Sequence, residues 1–183
     1  MNAPGPTPPA VAARRDWRLG LWLTLSVGIL LLALLWLTCY YYPRQLGPVQ
    51  PVPFSHRVHA GDKQIGCLLC HDGAARGAAA GIPPLQTCLL CHERIAITYP
   101  PIRTVREHYA AGVPIAWQQV YDLPDFVYFD HAAHVRQGVD CGRCHGDVRA
   151  LDRIVKDPDP TMGFCVQCHR DNQVSRDCLT CHR

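Results

Sequence analysis

The stretch FDHAAHVRQGVDCGRCH, Phe129 to His145, sets two histidines three residues apart just upstream of a Cys-x-x-Cys-His pentapeptide. Its last five residues belong to a series. Cys67 to His71, Cys88 to His92, Cys141 to His145, Cys165 to His169 and Cys178 to His182 all read Cys-x-x-Cys-His. They take up ten of the eleven cysteines and leave only Cys39 over. A chain of this composition would show about 0.04 such pentapeptides by chance, so the pattern carries chemistry.

Cys-x-x-Cys-His is the attachment signature of c-type haem: two thiols form thioethers with the porphyrin, and the adjacent histidine reaches the iron from the proximal side. Zinc sites also use Cys-x-x-Cys pairs, but they combine them in twos, and five is odd. A thioredoxin-like redox pair needs no histidine after its second cysteine. The sequence therefore predicts five covalent haem c groups. Cys67, Cys70, Cys88, Cys91, Cys141, Cys144, Cys165, Cys168, Cys178 and Cys181 are the attachment residues, and His71, His92, His145, His169 and His182 the proximal ligands.

The two upstream histidines have counterparts. Phe54-Ser55-His56-Arg57-Val58-His59 aligns with Phe129-Asp130-His131-Ala132-Ala133-His134 at an offset of 75 residues, and each is followed by two attachment sites. The chain thus contains a duplicated module, residues 54–92 and 129–169, with a fifth site at 178–182. Histidines at i and i+3 share a helical face but diverge, so they cannot flank one iron. His56 and His59, and likewise His131 and His134, are expected as distal ligands to two haems each. For the fifth haem the residues leave His108 or Met162 open.

Residues 19–42 carry no charge, and as a helix rising about 1.5 Å per residue they span a bilayer core of about 30 Å. Trp17 and Trp22 at one end, and Trp36, Tyr40, Tyr41 and Tyr42 at the other, suit the two interfaces. Arg14, Arg15 and Arg18 flank the N-terminal side, which predicts a cytoplasmic tail over residues 1–18 and an extracytoplasmic domain over 43–183. The run is too long for a cleaved signal peptide and lacks its small-residue site. The first nine residues read as a disordered, Pro-rich start. Bulky neighbours argue against lipid attachment at Cys39, which reads as a passive thiol.

Between the modules, residues 102–111 have a short helical pattern with Gly112 as its stop, and the surrounding prolines forbid long elements. No alternating strand series is present. The fold class expected is mainly α and irregular, of duplicated class III or c7-like multihaem cytochrome modules, with one N-terminal transmembrane helix and little or no β-sheet. Sixteen Arg against two Lys suggest propionate partners, with Arg57, Arg136, Arg143 and Arg170 beside ligands or attachment sites. A net charge of +3 spread over such a chain leaves no nucleic-acid footprint.

The segments PVPFSHRVHAGDKQIGCLLCH, GIPPLQTCLLCH, LPDFVYFDHAAHVRQGVDCGRCH and TMGFCVQCHR together resemble the pentahaem cytochrome c subunit of alternative complex III, a quinol-oxidising membrane complex. The resemblance extends over the anchor and nearly all of residues 54–183. One departure is Phe164, where relatives usually carry tryptophan. The resemblance implies four bis-histidine haems and one His/Met haem with Met162 as the fifth distal ligand. It also implies the partners: an iron–sulfur subunit related to molybdopterin enzymes, polytopic quinol-binding membrane subunits and a monohaem cytochrome c. In that reading the chain relays electrons and is not itself an enzyme. A multihaem nitrite reductase would need an open iron, and a tetrahaem quinol dehydrogenase has fewer sites and a different motif order.

Overall fold

The computed structural model describes residues 17–41 and 47–182. They fall into two units, an N-terminal helix and the domain beginning after it. Arg14, Arg15, Tyr42 and the Pro-rich start lie outside the described residues.

Helix α1 runs Trp17–Trp36 and continues as a wider π-helical turn over Leu37–Tyr41. It begins two residues before the charge-free run, placing Arg18 in its first turn. Long unbranched leucines favour the helix, and its hydroxyl residues turn inward on it: Ser26 donates to the Trp22 carbonyl at 2.8 Å and Thr38 to that of Leu34 at 2.9 Å. These hydroxyls are then satisfied within the helix itself, as a bilayer demands. The helix is long and apolar enough to cross a membrane, and its apolar side chains are exposed.

The second unit consists of short helices joined by irregular chain: α2 Cys67–Cys70, α3 Leu85–His92, α4 Pro100–Ala111, α5 His131–Arg136, α6 Gly142–His145, α7 Met162–Asp171 and α8 Cys178–Cys181. Local chemistry sets their ends. Asp130, Thr161 and Asp177 accept from the backbone NH groups of Ala132, Phe164 and Leu179, capping α5, α7 and α8. Helix α4 opens on Pro100, whose missing NH costs nothing there, and stops at Gly112, whose φ of +65° a side chain would strain. Among the described residues the β content is a single bridge between Val127 and His182.

Few side chains are buried. Val52, Leu89, Val105 and Ile115 form one small cluster backed by Leu85, Cys88 and Trp117, and Ala74 and Ala132 are buried apart from it. So small an apolar core is far below what usually offsets the conformational entropy of a domain this long. Bound prosthetic groups are the natural source of the missing buried surface.

The two modules clasp each other. The chain after His145 returns to the first module, where the Leu151 carbonyl accepts from Arg57 NH at 2.9 Å and Asp152 takes hydrogen bonds from Ser55 and Arg57. The chain after His71 crosses to the second, where the Gly77 carbonyl accepts from Ala132 NH at 3.1 Å. Residues 57 and 132 differ by the offset of the repeat, so the exchange is reciprocal.

Candidate haem centres

Each Cys-x-x-Cys-His lies on a turn of helix, which brings its two thiols to one side with the histidine following. Burial raises the thiols of Cys70, Cys88, Cys141, Cys144 and Cys165 above the ordinary cysteine value. Before attachment these cysteines therefore stay protonated at neutral pH.

Which distal histidine serves which attachment site is not readable from the sequence. In the structure the rings fall into four facing pairs. His56 faces His71 at 6.3 Å between ring centres and 6° between planes, and His131 faces His145 at the same 6.3 Å and 6°. His59 faces His92 at 6.1 Å and 64°, and His134 faces His169 at 6.2 Å and 36°. A metal–imidazole bond of about 2 Å plus about 1.1 Å from ring nitrogen to ring centre, doubled, gives about 6.2 Å for two imidazoles trans across one ion. The separations fit an iron between each pair, and direct ring stacking would be much closer.

A second feature fits the same group. A ligating imidazole usually donates its other NH to a carbonyl or carboxylate, which fixes the tautomer and frees the second nitrogen for metal. Here His59 Nδ1 meets the Ser55 carbonyl at 2.8 Å, His71 that of Gly81 at 2.8 Å and His92 that of Ile95 at 3.0 Å. His131 meets Ala78 at 2.6 Å, His134 meets Asp130 at 2.8 Å and His169 meets Ser175 at 2.7 Å. Three of these bonds, to Gly81, Ala78 and Ser175, cross the clasp or close a loop, so the irregular segments after α2 and α7 also orient these imidazoles.

His56 departs from this pattern, because its Nδ1 is buried without a partner. Burial, reinforced by His71 and then His59, lowers its pKa to about 4, so the ring is neutral at physiological pH. His145 is likewise held low by burial and by His131 and His71, and the Tyr121 ring meets it edge-on at 4.5 Å.

The fifth site is built differently. His182 lies under Phe126, with its Nδ1 3.4 Å from the Phe126 carbonyl, and Tyr128 NH donates to the Cys181 carbonyl at 2.8 Å. Among the described residues no second histidine ring faces it. Met162 is the first residue of α7 and 69% exposed. His108 sits on the last turn of α4 with Nδ1 3.1 Å from the Val113 carbonyl.

The attachment cysteines are neighbours in an order that differs from the sequence. Cys70 lies near Cys88 and Cys91, Cys67 lies against Cys141, Cys144 is near Cys165 and Cys168, and Cys165 is near Cys181. The sites therefore succeed one another as second, first, third, fourth and fifth. A cavity of about 330 Å³ lies at the Cys67–Cys141 contact, lined also by Asp140, Asp147 and Arg149. The Arg57 guanidinium engages Asp62 and Asp152, each at 3.2 Å.

Two comparisons bear on these sites. A family model described as cytochrome c7 and related cytochrome c matches residues 127–183. The multihaem cytochrome c subunit of menaquinone reductase from Nitratidesulfovibrio vulgaris, strain Hildenborough, is 31% identical to this chain, with 73% of this chain and 77% of the relative covered.

Proposed function

This chain belongs to the multihaem cytochrome c family, and from that premise we propose that it is a membrane-anchored pentahaem relay moving electrons for a quinone-linked complex of the alternative complex III kind. The observation that carries the reading is the set of four histidine pairs held one iron's width apart. Haem c supplies a one-electron ferric/ferrous couple whose potential follows its axial ligands, hydrogen bonding and burial.

The remaining work falls to the chain. His71, His92, His145 and His169 would each hold an iron together with His56, His59, His131 and His134, in that order. His182 and Met162 serve the fifth. Ten cysteines fix the porphyrins, and the neighbouring attachment sites keep successive groups close enough for transfer. Protein ligands on every iron exclude water and small substrates, so this subunit relays electrons and quinol chemistry belongs to partners. Those partners are an iron–sulfur, molybdopterin-enzyme-like subunit, polytopic quinol-binding membrane subunits and a monohaem cytochrome c. The helix at residues 17–41 anchors the chain with its N-terminus cytoplasmic and the haem domain outside.

The relative's name favours a second direction, electron delivery to menaquinone. The intact membrane complex decides between them. Quinol added to it should reduce five haems per chain, and reoxidation should follow addition of a soluble cytochrome. Haems that remain oxidised with quinol yet pass electrons from a reduced periplasmic donor to a menaquinone analogue would establish the reverse direction. A complex whose haems exchange electrons with neither quinone form would overturn the proposal.

A further inference from the structure

In each module one phenylalanine touches the distal histidines of two different ring pairs. Phe54 stacks on His59 at 4.4 Å and 22°, and meets His56 edge-on at 4.9 Å and 82°. Phe129 repeats the arrangement, stacking on His134 at 4.7 Å and 27° and meeting His131 at 4.7 Å and 88°. We infer that Phe54 and Phe129 are positioning residues, each coupling the ring orientations of two distal imidazoles and hence the ligand fields of two adjacent irons. The inference rests on the ligand assignments proposed above.

An imidazole bound through Nε2 can swing about the metal–nitrogen axis unless something else holds it. Two holds are available, a hydrogen bond at Nδ1 and contact on the ring. His59, His131 and His134 have both. His56 lacks the first, since its buried Nδ1 has no acceptor, and among the described residues Phe54 is the only ring besides its facing histidine that touches it. Both interplanar angles recur in the second module. Neither Phe54 nor Phe129 is among the buried core residues.

The quantity these residues control is measurable. In a low-spin ferric haem, near-parallel axial imidazole planes give a rhombic spectrum, and steeply crossed planes give one very large g value. Planes at 6° and 64° across the two irons adjoining Phe54, and at 6° and 36° across those adjoining Phe129, predict distinct signals within each module.

The test is electron paramagnetic resonance with potentiometric titration of the haem-loaded full chain, five haems per chain being verified by pyridine haemochrome. Phe54→Leu should move the signals and midpoints of two bis-histidine haems and leave the other two in place. Phe129→Leu should move the complementary two, and Phe54→Tyr, which keeps the ring, should restore the parent spectrum. Unchanged signals in both leucine variants, or a uniform shift of all haems, would overturn the inference. If the parent protein itself shows no bis-histidine low-spin signals, the ligand assignments fail and the inference with them.

Discussion

His131→Gly offers the sharpest perturbation of the proposed ligand set. His131 and His145 stand 6.3 Å apart with planes at 6°, so removing the first ring opens a position on one iron and leaves both rings of every other pair in place. Because His131 is the first residue of α5, glycine there costs at most about 1 kcal/mol of helix stability, and the domain should still fold. The expected size follows by counting. Five attachment sites and four facing pairs mean that one haem in five becomes high-spin and a quarter of the bis-histidine low-spin intensity disappears. The reduced variant should bind one carbon monoxide per chain, and the parent none. The space vacated is the size of the ring removed, so free imidazole should refill it, restore the low-spin spectrum and block carbon monoxide. Optical titration of the haem-loaded protein reads all three. A variant that keeps every low-spin signal and binds no carbon monoxide would refute the trans-ligand reasoning outright.

Other substitutions probe different parts of the site. At the fifth haem, Met162→Ala should abolish the methionine–iron charge-transfer band near the red end of the ferric spectrum, and His108→Ala should leave it; the reverse result would exchange the two residues. Ala132 is 1% exposed and its NH bonds Gly77 on the loop that crosses from the first module, so Ala132→Leu should overpack the clasp and cost about 1–3 kcal/mol by thermal or denaturant unfolding, where an equally stable variant would show a looser fit. The Ser55 hydroxyl, and after it the Arg57 guanidinium, hold the Asp152 carboxyl below the usual aspartate range. Its folded value being the lower one, its contribution is complete above the unfolded value and is lost as pH falls through the folded value. Asp152→Asn should therefore flatten the acid limb of the melting-temperature profile below about pH 4, and an unchanged limb would show that the clasp does not depend on this charge.

What the sequence revealed depended on whether a side chain carried the signal. The five attachment motifs, the duplicated Phe-x-His-x-x-His and the glycine stop at Gly112 are all written in side-chain identity. The apolar run was legible too, though its helix begins at Trp17, ahead of the charge-free stretch, because a charged residue in a first turn breaks no helical hydrogen bond. The partners of the ligand imidazoles were not legible. Gly81, Ile95, Ala78 and Ser175 act through backbone carbonyls, and any residue in the same conformation would present the same atom. Arg57 shows the limit from the other side. Nothing near it in the sequence announces that its guanidinium meets Asp152, almost a hundred residues on. The role of the repeated phenylalanine was equally hidden, since a motif records that a ring is present and not which two neighbours it touches.

The reciprocal clasp also bears on the order in which the domain can be completed during synthesis. A ribosome delivers residues 54–92 well before residues 146–152, yet Arg57 NH and Ser55 find their partners at Leu151 and Asp152. The first module can receive its attachment chemistry early, because its cysteines and proximal histidines are already present, but its docking surface stays unfilled until the second module has emerged. The clasp accordingly closes only once both segments are present.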